Sequence, residues 1–251
     1  MPYEKGYCLI KYLEHAVGDP ARFIEFAQAY VREFKFASIV SEDMFDSFLR
    51  FFPELEKQGL ATAGGGLSFN EWLTTPGMPK FVPDLSAAET LSRPAEQLAE
   101  SWLATGAAPT DGAATNFTDL SVYSQFHFVD TLVEAPAEQW GEQDRARDVL
   151  AKLDAAYQLS RSSNAEMNLR WSMLTIRHAY WDDLPNVRAF LLAQGKQKYQ
   201  LPLYRALVKS AEGTAFAKEV FEVARPALHA TVIGYITKIL RDAVDGKKSS
   251  E

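Results

Sequence analysis

The chain has 251 residues, 47% of them hydrophobic and 24% charged, which is enough to bury a proper core and unlike a disordered protein. A net charge of −7 argues against nucleic acid or an acidic membrane surface as partner, because binders of those carry basic patches. The one cysteine, Cys8, excludes an intramolecular disulfide and fits a reducing compartment, and no apolar run is long enough to span a bilayer, so the sequence reads as cytoplasmic with no membrane span.

Met1-Pro2-Tyr3-Glu4-Lys5-Gly6 leads into the first predicted helix. Pro2 suits a first turn because its missing N–H would have no partner there and its φ is already helical. Cys8, Leu9, Tyr12, Leu13 and Ala16 then fall on one face, and Gly18 ends the run. Tyr3 precedes that buried stripe, so its phenol is placed to face something outside the helix. Asp19 caps and Pro20 begins a second helix with Phe23, Ile24, Ala27, Tyr30, Val31 and Phe34 on its apolar stripe. Ser41 is expected to cap a third, which buries Met44, Phe45, Phe48, Leu49 and Phe52 and stops at Pro53. Gly64-Gly65-Gly66 is a turn and not a phosphate loop, since no Lys-Ser/Thr follows and no strand precedes it. Ser68 with Glu71 makes a capping box for a short helix carrying Trp72 and Leu73, closed by Pro76-Gly77. Pro76, Pro79 and Pro83 make the stretch from Thr74 to Leu91 a stiff connector. Pro94 is expected to start the next helix, which carries Leu98 and Trp102 and ends at Gly106, and a loop runs on to Asn116.

The second half repeats one device. Val122 to Val133, Ala146 to Tyr157, Leu169 to Ile176 behind a Ser163–Glu166 capping box, Val187 to Leu191 between Pro185 and Gly195, Leu203 to Val208, Phe216 to Val223 and Val232 to Leu240 all keep the helical period. Helices with short links predict antiparallel pairs stacked into a small solenoid, although no sharp sequence repeat is present. The fold class is therefore all-α. The acidic pairs Glu42-Asp43 and Asp182-Asp183 lie at helix N-termini, where capping and the macrodipole explain them.

Pro2-Tyr3-Glu4-Lys5-Gly6 before an apolar helix resembles one place in the zinc aminopeptidases that carry a His-Glu-x-x-His motif, in the branch holding aminopeptidase B and leukotriene A-4 hydrolase. Glu33-Phe34-Lys35-Phe36, Phe52-Pro53-Glu54-Leu55, Trp72-Leu73 with Thr75-Pro76-Gly77, Arg170-Trp171 and Gln194-Gly195-Lys196-Gln197-Lys198-Tyr199 continue the resemblance in family order over essentially the whole chain. It implies three segments. Residues 1–73 would be the helical C-terminal part of a thermolysin-like catalytic domain, 74–91 a Pro-rich linker, and 92–251 an armadillo- or HEAT-like α-α superhelical C-terminal domain walling the active site.

The resemblance also implies roles. Tyr3 matches the tyrosine that donates a hydrogen bond to the oxyanion of the tetrahedral intermediate, a task suited to a phenol that is neutral at pH 7. Lys196 and Lys198 match an Arg-x-Lys pair that holds the substrate carboxylate, here from a loop after Gly195 and with a compact ammonium where the family has a forked guanidinium. That exchange leans toward aminopeptidase B and away from a tightly oriented lipid carboxylate. The alternative for each is bland: an interfacial tyrosine and two solvated lysines.

Zinc would belong to the full-length enzyme and not to this chain. Two histidines four apart on a helix are needed to reach one metal, with a glutamate between them as base. The four histidines, His15, His127, His178 and His229, lie far apart in sequence. Cys8 has no histidine near it in sequence and lies in a core stripe, and no Gly-x-Ser-x-Gly elbow occurs. The chain is thus expected to be inactive alone, its partners being a peptide substrate in the full-length enzyme and an N-terminal catalytic half. A free-standing helical-repeat module that binds a protein or peptide is the competing class, and a fragment of an epoxide hydrolase is a third. A fragment should expose apolar surface around Phe23, Phe26, Phe34, Phe45 and Phe48, whereas a module should cover it.

Overall fold

Helix starts and stops in the sequence are where the backbone turns. The computed structural model describes residues 2–60, 69–79, 81–109 and 116–246. Helix α1 (Pro2–Val17) ends at Gly18, whose φ of 69° is the left-handed conformation that glycine adopts without strain. The Asp19 carboxylate then accepts the backbone N–H groups of Ala21 at 2.9 Å and Arg22 at 3.3 Å, and Pro20 begins α2 (Pro20–Phe34). Helices α3 (Ser41–Phe51), α4 (Pro53–Lys57) and α5 (Phe69–Thr74) complete the helices of the first of two compact units, Met1–Ala87 and Ala88–Glu251.

The core of the first unit is aromatic. Leu13, Phe26, Phe45, Phe48, Phe52 and Trp72 are buried, and Phe26 meets Phe48 edge-on with ring centres 5.2 Å apart. Phe23 and Tyr30 are half-buried against it. Of the residues a fragment is expected to expose, Phe26, Phe45 and Phe48 are covered, closing on one another as expected of a module. The reason is spacing. On α2 the aromatics at 23, 26, 30 and 34 share one side, which turns inward, while Ile24 and Val31 face outward. Ile24, Val31, Phe36, Val40 and Met78 are among the large apolar side chains this unit exposes.

The second unit is built of α6 (Glu89–Thr105), α7 (Val122–Glu134), α8 (Ala137–Trp140), α9 (Gln143–Tyr157), α10 (Ala165–Arg177), α11 (Leu184–Ala193), α12 (Gln197–Leu207), α13 (Ala211–Ala224) and α14 (Ala230–Val244). Helices α7, α10, α12 and α14 lie side by side in that order, and α11 packs on α13. This is the arrangement of an αα solenoid, in which each helical repeat packs against the next. The described residues contain no strand, and the all-α architecture stands. No described helix is long and apolar enough to cross a membrane.

Two apolar clusters fill this unit. One gathers Leu98, Trp102, Phe128, Leu132, Trp140 and Leu150 from α6 to α9; the other gathers Phe190, Leu203, Tyr204, Val220, Phe221 and Ile236 from α11 to α14. Helix α10 serves both, with Met167, Trp171 and Leu174 in the first and Ile176, flanked by Leu169 and Met173, in the second.

Several helix ends differ from the sequence reading. Helix α6 begins at Glu89 with Pro94 inside it, because Asp84 accepts the N–H of Ser86 at 2.9 Å and starts a 3₁₀ turn over Ser86–Ala88 that runs into the helix. The α3 N-cap is Val40, whose N–H is taken by the Asp43 carboxylate at 2.9 Å. The cap of α10 is Asn164, which accepts the N–H of Glu166 at 2.9 Å, so Ser163 forms no capping box and Glu166 is left for another task. Asp183 makes no backbone cap; it is buried and accepts from the Asn186 side chain at 2.7 Å. The Gly64–Gly66 turn, Ser68 and the loop residues 110–115 fall outside the described residues.

Candidate functional site

Tyr3 stands in the first turn of α1 and is 88% exposed, and its hydroxyl makes no hydrogen bond among the described residues. The turn beneath it is anchored. The Lys5 ammonium donates to the carbonyl of Thr75, just past α5, and one turn-pair further along Tyr12 packs on Trp72 and Phe81 with ring centres 5.7 and 5.4 Å away. A phenol on a held helix end is a usable hydrogen-bond donor, since holding the helix fixes where the group can reach.

The two lysines sit in the second unit, at the start of α12, and differ from the loop expected of them. Gln194 caps the C-terminus of α11 with an extended backbone, Lys196 is the N-cap of α12, and Lys198 is inside its first turn. Residues two apart do not face the same way on a helix. Lys198 is paired with Glu166 on α10.

Glu166 is the hub that the sequence reading spent on a cap. Its Oε1 accepts from the Lys198 ammonium and from the Tyr199 hydroxyl at 2.9 Å, and its Oε2 lies 3.3 Å from a guanidinium N–H of Arg170. Arg170 in turn donates through Nε to Asp130 on α7 at 2.8 Å and lies over the Phe126 ring, 4.7 Å from its centre. Charged groups thus run Asp130, Arg170, Glu166, Lys198 across the adjacent helices α7, α10 and α12. Tyr123, Phe126 and His127 join Asp130, Glu166 and Arg170 in lining a cleft of about 390 Å³ there. The Lys198 ammonium holds the Glu166 carboxyl below the usual carboxylate range against the opposing effect of burial, with Tyr199 and Arg170 adding to it. Glu166 in return pushes Lys198 and the Tyr199 phenol up. The sequence carried one sign of this, Glu166 and Arg170 one helical turn apart. The pairing with Lys198 needed the fold.

Among the described residues, no group of three or more His, Cys, Asp or Glu side chains converges to hold a metal ion. His127 instead meets Glu96 at 3.0 Å, and the His178 ring lies against Trp140 with centres 4.2 Å apart.

Residues 120–240 match the family described as Leukotriene A4 hydrolase, C-terminal, and residues 1–60 match the Peptidase family M1 domain. Aminopeptidase B of Rattus norvegicus is 39% identical over 241 residues, covering 95% of this chain and 36% of that protein. The chain is similar to the C-terminal part of the aminopeptidase B and leukotriene A-4 hydrolase family. Leukotriene A-4 hydrolase of Xenopus laevis is 29% identical over 212 residues, covering 82% of this chain and 32% of that one. The structure titled native yeast LTA4 hydrolase has a TM-score of 0.76 at 22% identity, covering 95% of this chain and 38% of that one, and it shares the fold. The chain spans about a third of the length of the relatives it matches. Likeness to the M1 peptidase domain implies zinc in a full-length enzyme.

Proposed function

We propose that this chain serves a zinc-dependent aminopeptidase of the aminopeptidase B type, which removes N-terminal residues from peptides in the cytoplasm. The observation that carries the reading is Tyr3, an exposed phenol on an anchored first turn, within the stretch that matches the M1 peptidase domain. Residues 1–73 would complete a catalytic domain, 74–91 link it, and 92–251 form the helical-repeat domain; the family matches at 1–60 and 120–240 and the two compact units support that division.

In this reading Tyr3 donates its hydroxyl proton in a hydrogen bond to the oxygen that gains charge as the first peptide bond is attacked. Lys196 and Lys198 attract the carboxylate at the far end of the peptide. Zinc, which activates water in such enzymes, would be held by an N-terminal half that is this chain's partner, because the His-Glu-x-x-His motif that holds it does not occur in these 251 residues.

Replacing the matching third of rat aminopeptidase B by this chain should give a chimera that cleaves aminoacyl amides, and Tyr3→Phe in it should lower kcat about a hundredfold or more with a small change in KM. An unchanged kcat would remove Tyr3 from the reaction. The 251-residue chain alone is expected to bind no stoichiometric zinc and to cleave nothing; one equivalent of zinc by elemental analysis would overturn that.

One observation favours a second reading, a free-standing module that docks a peptide or protein. Phe26, Phe45 and Phe48 are covered, so the first unit closes its own core. Light scattering separates the two: a soluble monomer favours the module, and self-association favours a part of a larger catalytic domain.

A further inference from the structure

Three donors on two helices converge on one carboxylate. Lys198 and Tyr199 of α12 reach Oε1 of Glu166, and Arg170 of α10 reaches Oε2. This is the set of contacts that a bound carboxylate collects, a compact ammonium, a hydroxyl and a guanidinium N–H around two oxygens. It is filled here by the protein's own side chain.

The surroundings say how firmly. The Lys198 side chain is 61% exposed and that of Glu166 29%, so the pair is open to water. Exposed ion pairs contribute little, because each partner exchanges the other for solvent at small cost. Arg170 is secured independently, by Asp130 and by the Phe126 ring, so it keeps its place when Glu166 moves away. With Asp130 neutralising Arg170, removal of the Glu166 charge leaves Lys198 without a counter-charge beside the cleft lined by Tyr123, Phe126 and His127.

Resting on the role proposed above for Lys198, we infer that Glu166 is a built-in stand-in for the substrate carboxylate, which a peptide C-terminus displaces from Lys198 and Tyr199. The stand-in keeps the cationic group ordered when no ligand is bound and sets a threshold that a neutral chain end cannot cross. A ligand carboxylate binds by exchange, at an affinity lowered by the contacts Glu166 gives up.

The test titrates the 251-residue chain with a tripeptide as free acid and as its C-terminal amide, following backbone amide shifts, in the wild type, Glu166→Gln and Lys198→Ala. Matched circular dichroism and melting curves show whether each variant is folded. The wild type should prefer the free acid, Glu166→Gln should bind that acid about fivefold tighter, the most an exposed pair withholds, and Lys198→Ala should lose the preference. If Glu166→Gln binds the acid no better or more weakly while Lys198→Ala loses it, the stand-in is overturned and the carboxylate role of Lys198 survives, with Glu166 only positioning it. If no variant distinguishes acid from amide, or Lys198→Ala keeps the wild-type preference, the role of Lys198 falls and the inference with it.

Discussion

His178 shows how one residue ties stability to pH. Burial, with the Arg177 charge adding to it, pulls its pKa down to about 4, so the ring is kept neutral against Trp140. The unfolded chain takes up a proton near the ordinary value of 6.5 and the folded chain only near 4, so between those values the unfolded state binds more protons and stability rises with pH. The stabilisation is complete above about 6.5 and is lost as pH falls toward 4. The melting temperature should therefore drop from pH 7 to pH 4.5, and His178→Gln should drop less over the same span, which differential scanning fluorimetry reads directly. At this scale the sequence was half legible. Tyr3, Lys196 and Lys198 could be singled out by motif, and the exposure of Tyr3 follows from its place ahead of the buried stripe. Glu166 was hidden because its partners Lys198 and Tyr199 lie on another helix, and separation in sequence erases such pairs from any local pattern.

At the scale of elements, the ends of helices were readable wherever one residue type alone fits the geometry. Asp19-Pro20 and Gly106, whose φ is 69°, fall where expected. The start of α10 did not, because Ser162, Ser163 and Asn164 are all competent caps and only packing chooses among them; Ser162 Oγ takes the N–H of Asn164 and Asn164 takes that of Glu166. Two glycines test how tightly the elements are set. A Cβ on Gly213, in the first turn of α13, would meet the Leu207 backbone carbonyl at 2.2 Å, and backbone cannot step aside as a side chain can. A Cβ on Gly234 in α14 meets nothing within 4 Å. Gly213→Ala should cost about 1–3 kcal/mol, while Gly234→Ala should add about 0.5–1 kcal/mol by removing backbone freedom from the unfolded chain. Opposite shifts in urea midpoint with unchanged slope would bear this out, and a neutral Gly213→Ala would show that the α12–α13 junction gives way more readily than its geometry implies.

On the scale of the whole molecule, the solenoid character was legible from helix spacing, since short links force neighbours to pack. What no periodicity could reveal is that α10 lends opposite sides to two cores, Trp171 and Leu174 to one and Ile176 with Met173 to the other. A party wall of that kind has a thermal consequence. Repeat arrays unravel piecemeal when each block can leave without its neighbour, but neither cluster here survives if α10 goes. Residues 88–251 expressed alone should melt in a single calorimetric transition whose enthalpy equals the van't Hoff value, and Trp171→Ala should pull both ends of the stack down together instead of splitting the trace in two.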